Sequence, residues 1–220
     1  MNERFAFDLD LAGRATVAGA DEAGRGCLAG PLVAAAVCFD YAALDDADFA
    51  ALERLDDSKK VLKVRRAALY EEILRRARQV VIVCCSAGTI DRDGLHRCNL
   101  GSLARAVEGI APQPSVTLID GFALPGCRRA HRAVVGGDGR SAAIAAASVV
   151  AKVTRDRLML RLHARHPQYG FDRHVGYATT AHREAIVVHG VCELHRLSFA
   201  SVAYRELGLT SDGAEPAENA

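Results

Sequence analysis

Tryptophan is missing from the 220-residue sequence, and phenylalanine and tyrosine together make up only 5% of it. A protein that grips single-stranded nucleic acid by stacking bases on aromatic platforms would need more of them. A CxxC pair is missing too. The seven cysteines, Cys27, Cys38, Cys84, Cys85, Cys98, Cys127 and Cys192, are odd in number and irregular in spacing, and several lie in apolar runs. That pattern excludes a disulfide framework, argues against a zinc site and fits a reducing compartment. No stretch approaches the roughly 20 apolar residues that cross a bilayer. The opening segment, MNERFAFDLD, has no apolar leader core. A cytoplasmic protein with no membrane partner is expected. Repeats and linkers are also absent, so one compact α/β domain is the expectation.

Half of the residues are hydrophobic and a quarter are charged, which excludes disordered and collagen-like chains. The net charge of +1 says little, because a basic face can be balanced by acids elsewhere. Acids crowd Asp40 to Asp57 and the tail after Asp212. Bases crowd Lys59 to Arg66, Arg75 to Arg78, Arg128 to Arg132 and Arg155 to Arg165. Solvated helix faces explain each basic run taken singly, Arg75 to Arg78 best of all.

Thr16 to Ala20 and Pro31 to Phe39 read as strands of a hairpin around the loop DEAGRGCLAG, whose glycines permit tight turns. Helical spacing from Leu62 to Ala77 precedes a short apolar strand, Val80 to Cys85. The pattern predicts a helix from Asp93 to Ile110, a strand from Val116 to Ile119 and another from Ala133 to Val135. Ser141 is placed to cap a long helix reaching about Arg165. After the break at Pro167 to Gly170, a helix is expected from Thr180 to His189, then a short segment from Glu193 to Val202. The imperfect alternation predicts a mixed sheet.

Asp21, Glu22, Asp120 and Asp138 lie at or just beyond the ends of apolar strands. Any one of them could be a turn former or a helix cap. Four gathered at one end of a sheet would raise one another's pKa unless a divalent cation neutralised them. Oxygen ligands without a matching histidine or cysteine set favour Mg²⁺ or Mn²⁺. Two such ions suit in-line hydrolysis of a phosphodiester.

The blocks that carry these acids are AGADEAGRGCLAGPLVAAAVCF, DDSKKVLKVRRAAL, LIDG, GDGRSAAIAAASVVAKVTRDR, HPQYGFDRHVGYATTAH and HRLSF. In order and content they resemble the signature segments of bacterial ribonuclease HII, from about Val17 to Val202. The resemblance implies an RNase H-like α/β fold, a central mixed sheet flanked by helices with a helical C-terminal extension. It assigns residues 1–15 to an N-terminal segment, 16–207 to the catalytic domain and 208–220 to a disordered tail. Asp21, Glu22, Asp120 and Asp138 become the catalytic, metal-binding carboxylates, with Mn²⁺ or Mg²⁺ as cofactor. Substrate contacts are implied for Gly24, Arg25 and Gly26, for Ser58 and Lys59, for Ser148 and Lys152, and for Tyr177. The glycines would let backbone reach the sugar edge, where the 2′-hydroxyl separates RNA from DNA. Tyr177 would pack on the sugar at the junction between ribonucleotide and deoxyribonucleotide, or else be an ordinary core tyrosine. The implied substrates are RNA/DNA hybrids and ribonucleotide-containing duplex DNA, cut to leave 3′-hydroxyl and 5′-phosphate ends.

His195 and Arg196, like His182, stand evenly between structural and substrate-facing roles. The other histidines are expected at the surface, since none is paired at a metal-ligand spacing. Gly94 stands where many relatives carry asparagine, and Cys98-Asn99 where they carry Ala-Thr. The C-terminus lacks the hydrophobic-aromatic motif with which some relatives bind a sliding clamp, and a monomer is the default. The sister family, ribonuclease HIII, typically has an extra N-terminal domain and a glutamate as its fourth acid, whereas this chain has Asp138.

Overall fold

The computed structural model describes residues 2–55 and 63–209. In chain order its elements are α1 (Glu3–Ala12), β1 (Thr16–Ala23), β2 (Leu32–Asp40), α2 (Asp46–Ala51), α3 (Lys63–Arg76) and β3 (Gln79–Cys85). They continue with α4 (Ala87–Asp93), α5 (Leu95–Glu108), β4 (Val116–Asp120), β5 (Arg132–Val134), α6 (Ala142–His163), α7 (Phe171–His174), α8 (Thr180–His189) and α9 (Val202–Glu206). The described residues fall into two compact units. The first is drawn from Met1–Ala23, Val33–Cys84 and Asn99–Thr154, the second from Gly24–Leu32, Cys85–Cys98 and Arg155–Ala220.

Among the described residues the first unit holds a five-stranded sheet in the order β3-β2-β1-β4-β5. β1 runs antiparallel to β2 and parallel to β4, and β4 is parallel to β5, so the sheet is mixed as expected. The middle strands are built from small apolar residues, and every residue of β2 but Asp40 is buried. Ala18, Ala20, Ala34, Ala36 and Ile119 form a core with Leu103, Val107 and Ile110 of α5 and the residues after it. On the other side α6 comes so close to β1 that a Cβ on Gly19 would lie 2.2 Å from the backbone of Ala143. Only glycine allows that approach. The opening of α6, AAIAAASVV, is buried all round, as its lack of a polar face requires. Ser141 caps it as predicted, its hydroxyl accepting the Ile144 amide at 3.2 Å.

The structure adds to the expected elements. Residues 3–12 form α1, to which the sequence pattern assigned no element. Its Asp8 is fully buried and accepts from the Tyr41 hydroxyl at 2.6 Å and the Ala143 amide at 3.0 Å, which anchors α1 at the start of α6. The hairpin strand β1 extends to Ala23, so Asp21 and Glu22 are strand residues paired with Ala35 and Ala34 of β2. The helix predicted from Asp93 to Ile110 is α5, and a further short helix not predicted, α4, precedes it and ends at Gly94 with φ +83°. Glycine takes this positive φ without strain.

In the second unit α7, α8 and α9 join the end of α6 around two small cores. Ala29, Met159, Tyr169 and Phe171 form one, and Leu28, Ile186, Ala203 and Tyr204 the other. No helix among the described residues is long and apolar enough to cross a membrane.

Candidate active site

The parallel register pairs Ala20 of β1 with Ile119 of β4. The next residues along are Asp21 and Asp120, so the sheet sets two carboxyls side by side. Asp21 is only 7% exposed, and one of its oxygens accepts the Glu22 amide at 2.7 Å. Burial holds its pKa well above the usual carboxylate range, and the charges of Glu22 and Asp120 push the same way. A hydrogen bond from Ser148 on α6 and the Glu22 amide oppose the shift without cancelling it.

Asp120 ends β4, and its Oδ1 accepts the Gly137 amide at 2.7 Å. Gly137 opens a single 3-10 turn, Gly137–Gly139, whose middle residue is Asp138. The turn that bears the fourth acid is thereby tied to the third. Arg4 of α1 also holds it, donating through Nε to the Asp138 carbonyl at 3.2 Å. Lys152 follows Ser148 by one turn of α6 and is half-buried. The first unit therefore sets Glu22, Asp120 and Ser148 about Asp21 and ties the turn that bears Asp138 to Asp120. Ser58 and Lys59 lie outside the described residues.

The second unit carries the glycine-rich loop. Gly24 has φ +94°, and a Cβ there would fall 2.1 Å from Nε of Arg155, so glycine is required twice over. Arg155 and Arg196 are both completely buried. Arg155 donates to the carbonyls of Pro31, Val175 and Ala29 at 3.0, 2.8 and 3.1 Å. Arg196 donates to the carbonyls of Gly24, Arg25 and Gly30 at 2.7 to 3.0 Å. Burial pulls Arg196 down to about 10, which leaves it cationic at neutral pH. These two side chains brace the loop from inside, while Arg25 and Gly26 are exposed. The balance left open for Arg196 is settled in favour of a brace.

Tyr177 is 39% exposed and forms an isolated antiparallel bridge with Cys27, beside the loop. The guanidinium of Arg155 lies 5.9 Å from its ring centroid. The alternative of an ordinary core tyrosine is thereby excluded. Two residues earlier Val175 has φ +44°, a strained value for a β-branched residue, and its carbonyl is one that Arg155 holds.

His182, His195 and His174 are buried, which removes the expected surface position for His174. The Tyr177 carbonyl can only accept, so the ring nitrogen Nδ1 of His182 donates to it at 2.9 Å. Nε2 of His182 then accepts from Nε2 of His195 at 3.3 Å, and Nδ1 of His195 accepts the Cys192 amide at 3.0 Å. Each ring is neutral in this relay. Burial agrees, lowering both His182 and His195 to about 4. The relay holds the Tyr177 backbone, a structural role for both histidines.

Sequence reasoning missed Asp8, Arg155 as a brace, and this relay. Arg155 had a legible signal, since it sits between Ala151 and Met159 on the buried stripe of α6. Nothing local marks Arg196, whose acceptors lie more than 160 residues away in the chain.

The model of the family described as ribonuclease HII matches residues 18–202. The chain belongs to the ribonuclease HII family. A ribonuclease HII from Xanthobacter autotrophicus is 49% identical over 197 residues, which cover 90% of this chain and 76% of that protein. Among solved structures, the ribonuclease HII from Archaeoglobus fulgidus in a complex with PCNA is 26% identical, with a TM-score of 0.70 over 84% of this chain and 96% of that one. Bst-RNase HIII, solved with Mn²⁺, shares the fold at 21% identity, with a TM-score of 0.68 over 90% of this chain and 70% of that one. As a ribonuclease HII family member the chain is an RNase H endonuclease, and its RNase H-like fold is the one the family resemblance implied.

Proposed function

We propose that this enzyme cuts the RNA strand of RNA/DNA hybrids and incises duplex DNA 5′ to single embedded ribonucleotides, with Asp21, Glu22, Asp120 and Asp138 as its metal-binding catalytic carboxylates. The observation that carries the reading is the buried carboxyl of Asp21, held high by its burial and by Glu22 and Asp120. A buried carboxyl whose ionisation two neighbouring carboxyls oppose fits a small divalent cation. When bound, two Mn²⁺ or Mg²⁺ ions supply the activation of water and the charge neutralisation that in-line phosphodiester hydrolysis needs.

The chain's own residues do the rest. Ser148 orients the Asp21 carboxyl, and the Gly137 amide orients Asp120. Lys152 supplies positive charge on α6 for the substrate backbone. Gly24, Arg25 and Gly26 offer main-chain groups and a guanidinium to the strand bearing the 2′-hydroxyl, and Tyr177 offers the face of a half-exposed ring to the sugar. Ser58 and Lys59 would add phosphate contacts. Phosphate contacts carry no base information, so cleavage tolerates any sequence and weakens with salt. The enzyme works as a cytoplasmic monomer in this reading.

The test is incision of a labelled DNA duplex containing one ribonucleotide, with Mg²⁺ or Mn²⁺ and with chelator, beside an all-DNA duplex and an Asp120→Asn variant. Metal-dependent cutting 5′ to the ribonucleotide, lost in the variant and absent on DNA, is expected. Folded protein that cuts no substrate with either metal would overturn the reading. Cutting confined to long hybrids would remove the role given to Tyr177.

A further inference from the structure

An odd number of irregularly spaced cysteines without a CxxC pair argued against zinc. The fold changes that. His166, in the turn that follows α6, meets Cys192 and Glu193, in the segment that follows α8, although 26 residues separate His166 from Cys192 in the chain. One ligand atom from each, an imidazole nitrogen, the thiol sulfur and a carboxylate oxygen, lies within 4.8 Å of the other two. Nε2 of His166 is 3.3 Å from a carboxylate oxygen of Glu193.

We propose that His166, Cys192 and Glu193 form a second metal site, in the second unit, for a borderline-soft ion such as Zn²⁺. A nitrogen, a sulfur and an oxygen ligand are the donors Zn²⁺ selects, and they differ in kind from the all-oxygen set of Asp21, Glu22, Asp120 and Asp138. Metal–ligand distances of about 2.0–2.3 Å place tetrahedral ligands roughly 3.3–3.8 Å apart, so the three groups need close by only about 1 Å. Water takes the fourth position. The sulfur is already aimed, because Nδ1 of His195 lies 3.3 Å from it and the Tyr169 hydroxyl also reaches it. Metal binding to the sulfur displaces the thiol proton to solvent. A bound ion would staple the end of α6 to the segment after α8, the segment that also supplies His195 and Arg196.

The experiment uses the full chain and Co²⁺ as a spectroscopic stand-in for Zn²⁺. Wild type should show a thiolate-to-cobalt charge-transfer band that one equivalent of Zn²⁺ abolishes. Cys192→Ser should lose the band. Asp21→Asn should keep it, which separates this site from the carboxylate site and makes the outcome independent of the nuclease reading. Because Cys192 is partly buried, Glu193→Gln provides a variant at a side chain that is 74% exposed and safe for folding. It should weaken Zn²⁺ by roughly tenfold or more against a competing chromophoric chelator. Zn²⁺ should also raise the melting temperature of wild type and leave that of Glu193→Gln less changed. A charge-transfer band that survives in Cys192→Ser, or equal Zn²⁺ affinity in wild type and Glu193→Gln, would overturn the proposal.

Discussion

The two units bury charge in opposite ways. In the first, the Asp21 carboxyl is nearly sequestered and its nearest charged neighbours are two more carboxyls, so ionising it is opposed on every count but two hydrogen bonds. In the second, Arg155 and Arg196 are equally buried, yet each donates to three main-chain carbonyls. A buried charge that its own protein satisfies is a scaffold. One that the protein strains is waiting for something from outside.

Asp21→Asn should break the comparison most severely. Cleavage should fall roughly 10³-fold or more, while melting in chelator should be no lower than for wild type, because the variant removes a strained charge. The sign follows from the direction of the shift. A carboxyl whose folded pKa lies above the unfolded 3.8 contributes stability that is lost as pH rises through the folded value. A large drop in melting temperature together with lost activity would make Asp21 structural.

Arg196→Leu should do the reverse. Leaving the carbonyls of Gly24, Arg25 and Gly30 without their donor should destabilise by about 3–5 kcal/mol in urea unfolding. Gly19→Ala comes next, with a Cβ driven into the first turn of α6 and a cost of about 1–3 kcal/mol by the same measurement. The smallest effect is the acid limb of stability. His182 and His195 have folded values near 4 against 6.5 unfolded, so they stabilise the fold fully above pH 6.5. That contribution should fade as pH drops from about 6.5 to about 4, and His182→Asn should flatten the limb in a melting-temperature profile.

Much of this was legible in the residues, and what was not has physical causes. The strands, the long helix capped by Ser141 and the four acids announce themselves through local periodicity and through acids that interrupt it. Residues 3–12 carried no assignment, and α1 is held by Asp8 through partners far along the chain, Tyr41 and Ala143. Helix α4, which ends at Gly94, was missed because seven residues are too short a run for helical periodicity to show. The Arg196 brace and the His166, Cys192 and Glu193 cluster depend on tertiary approach across long stretches of chain, which no window of sequence contains.

The measurement that bears most directly on this account is the melting temperature with Mn²⁺ and with chelator, for wild type beside Asp21→Asn and Asp120→Asn. The account predicts that Mn²⁺ stabilises wild type and that either substitution removes most of that gain. Equal stabilisation of all three proteins, or none of wild type, would contradict the claim that the strained Asp21 carboxyl and its neighbours are completed by a divalent ion.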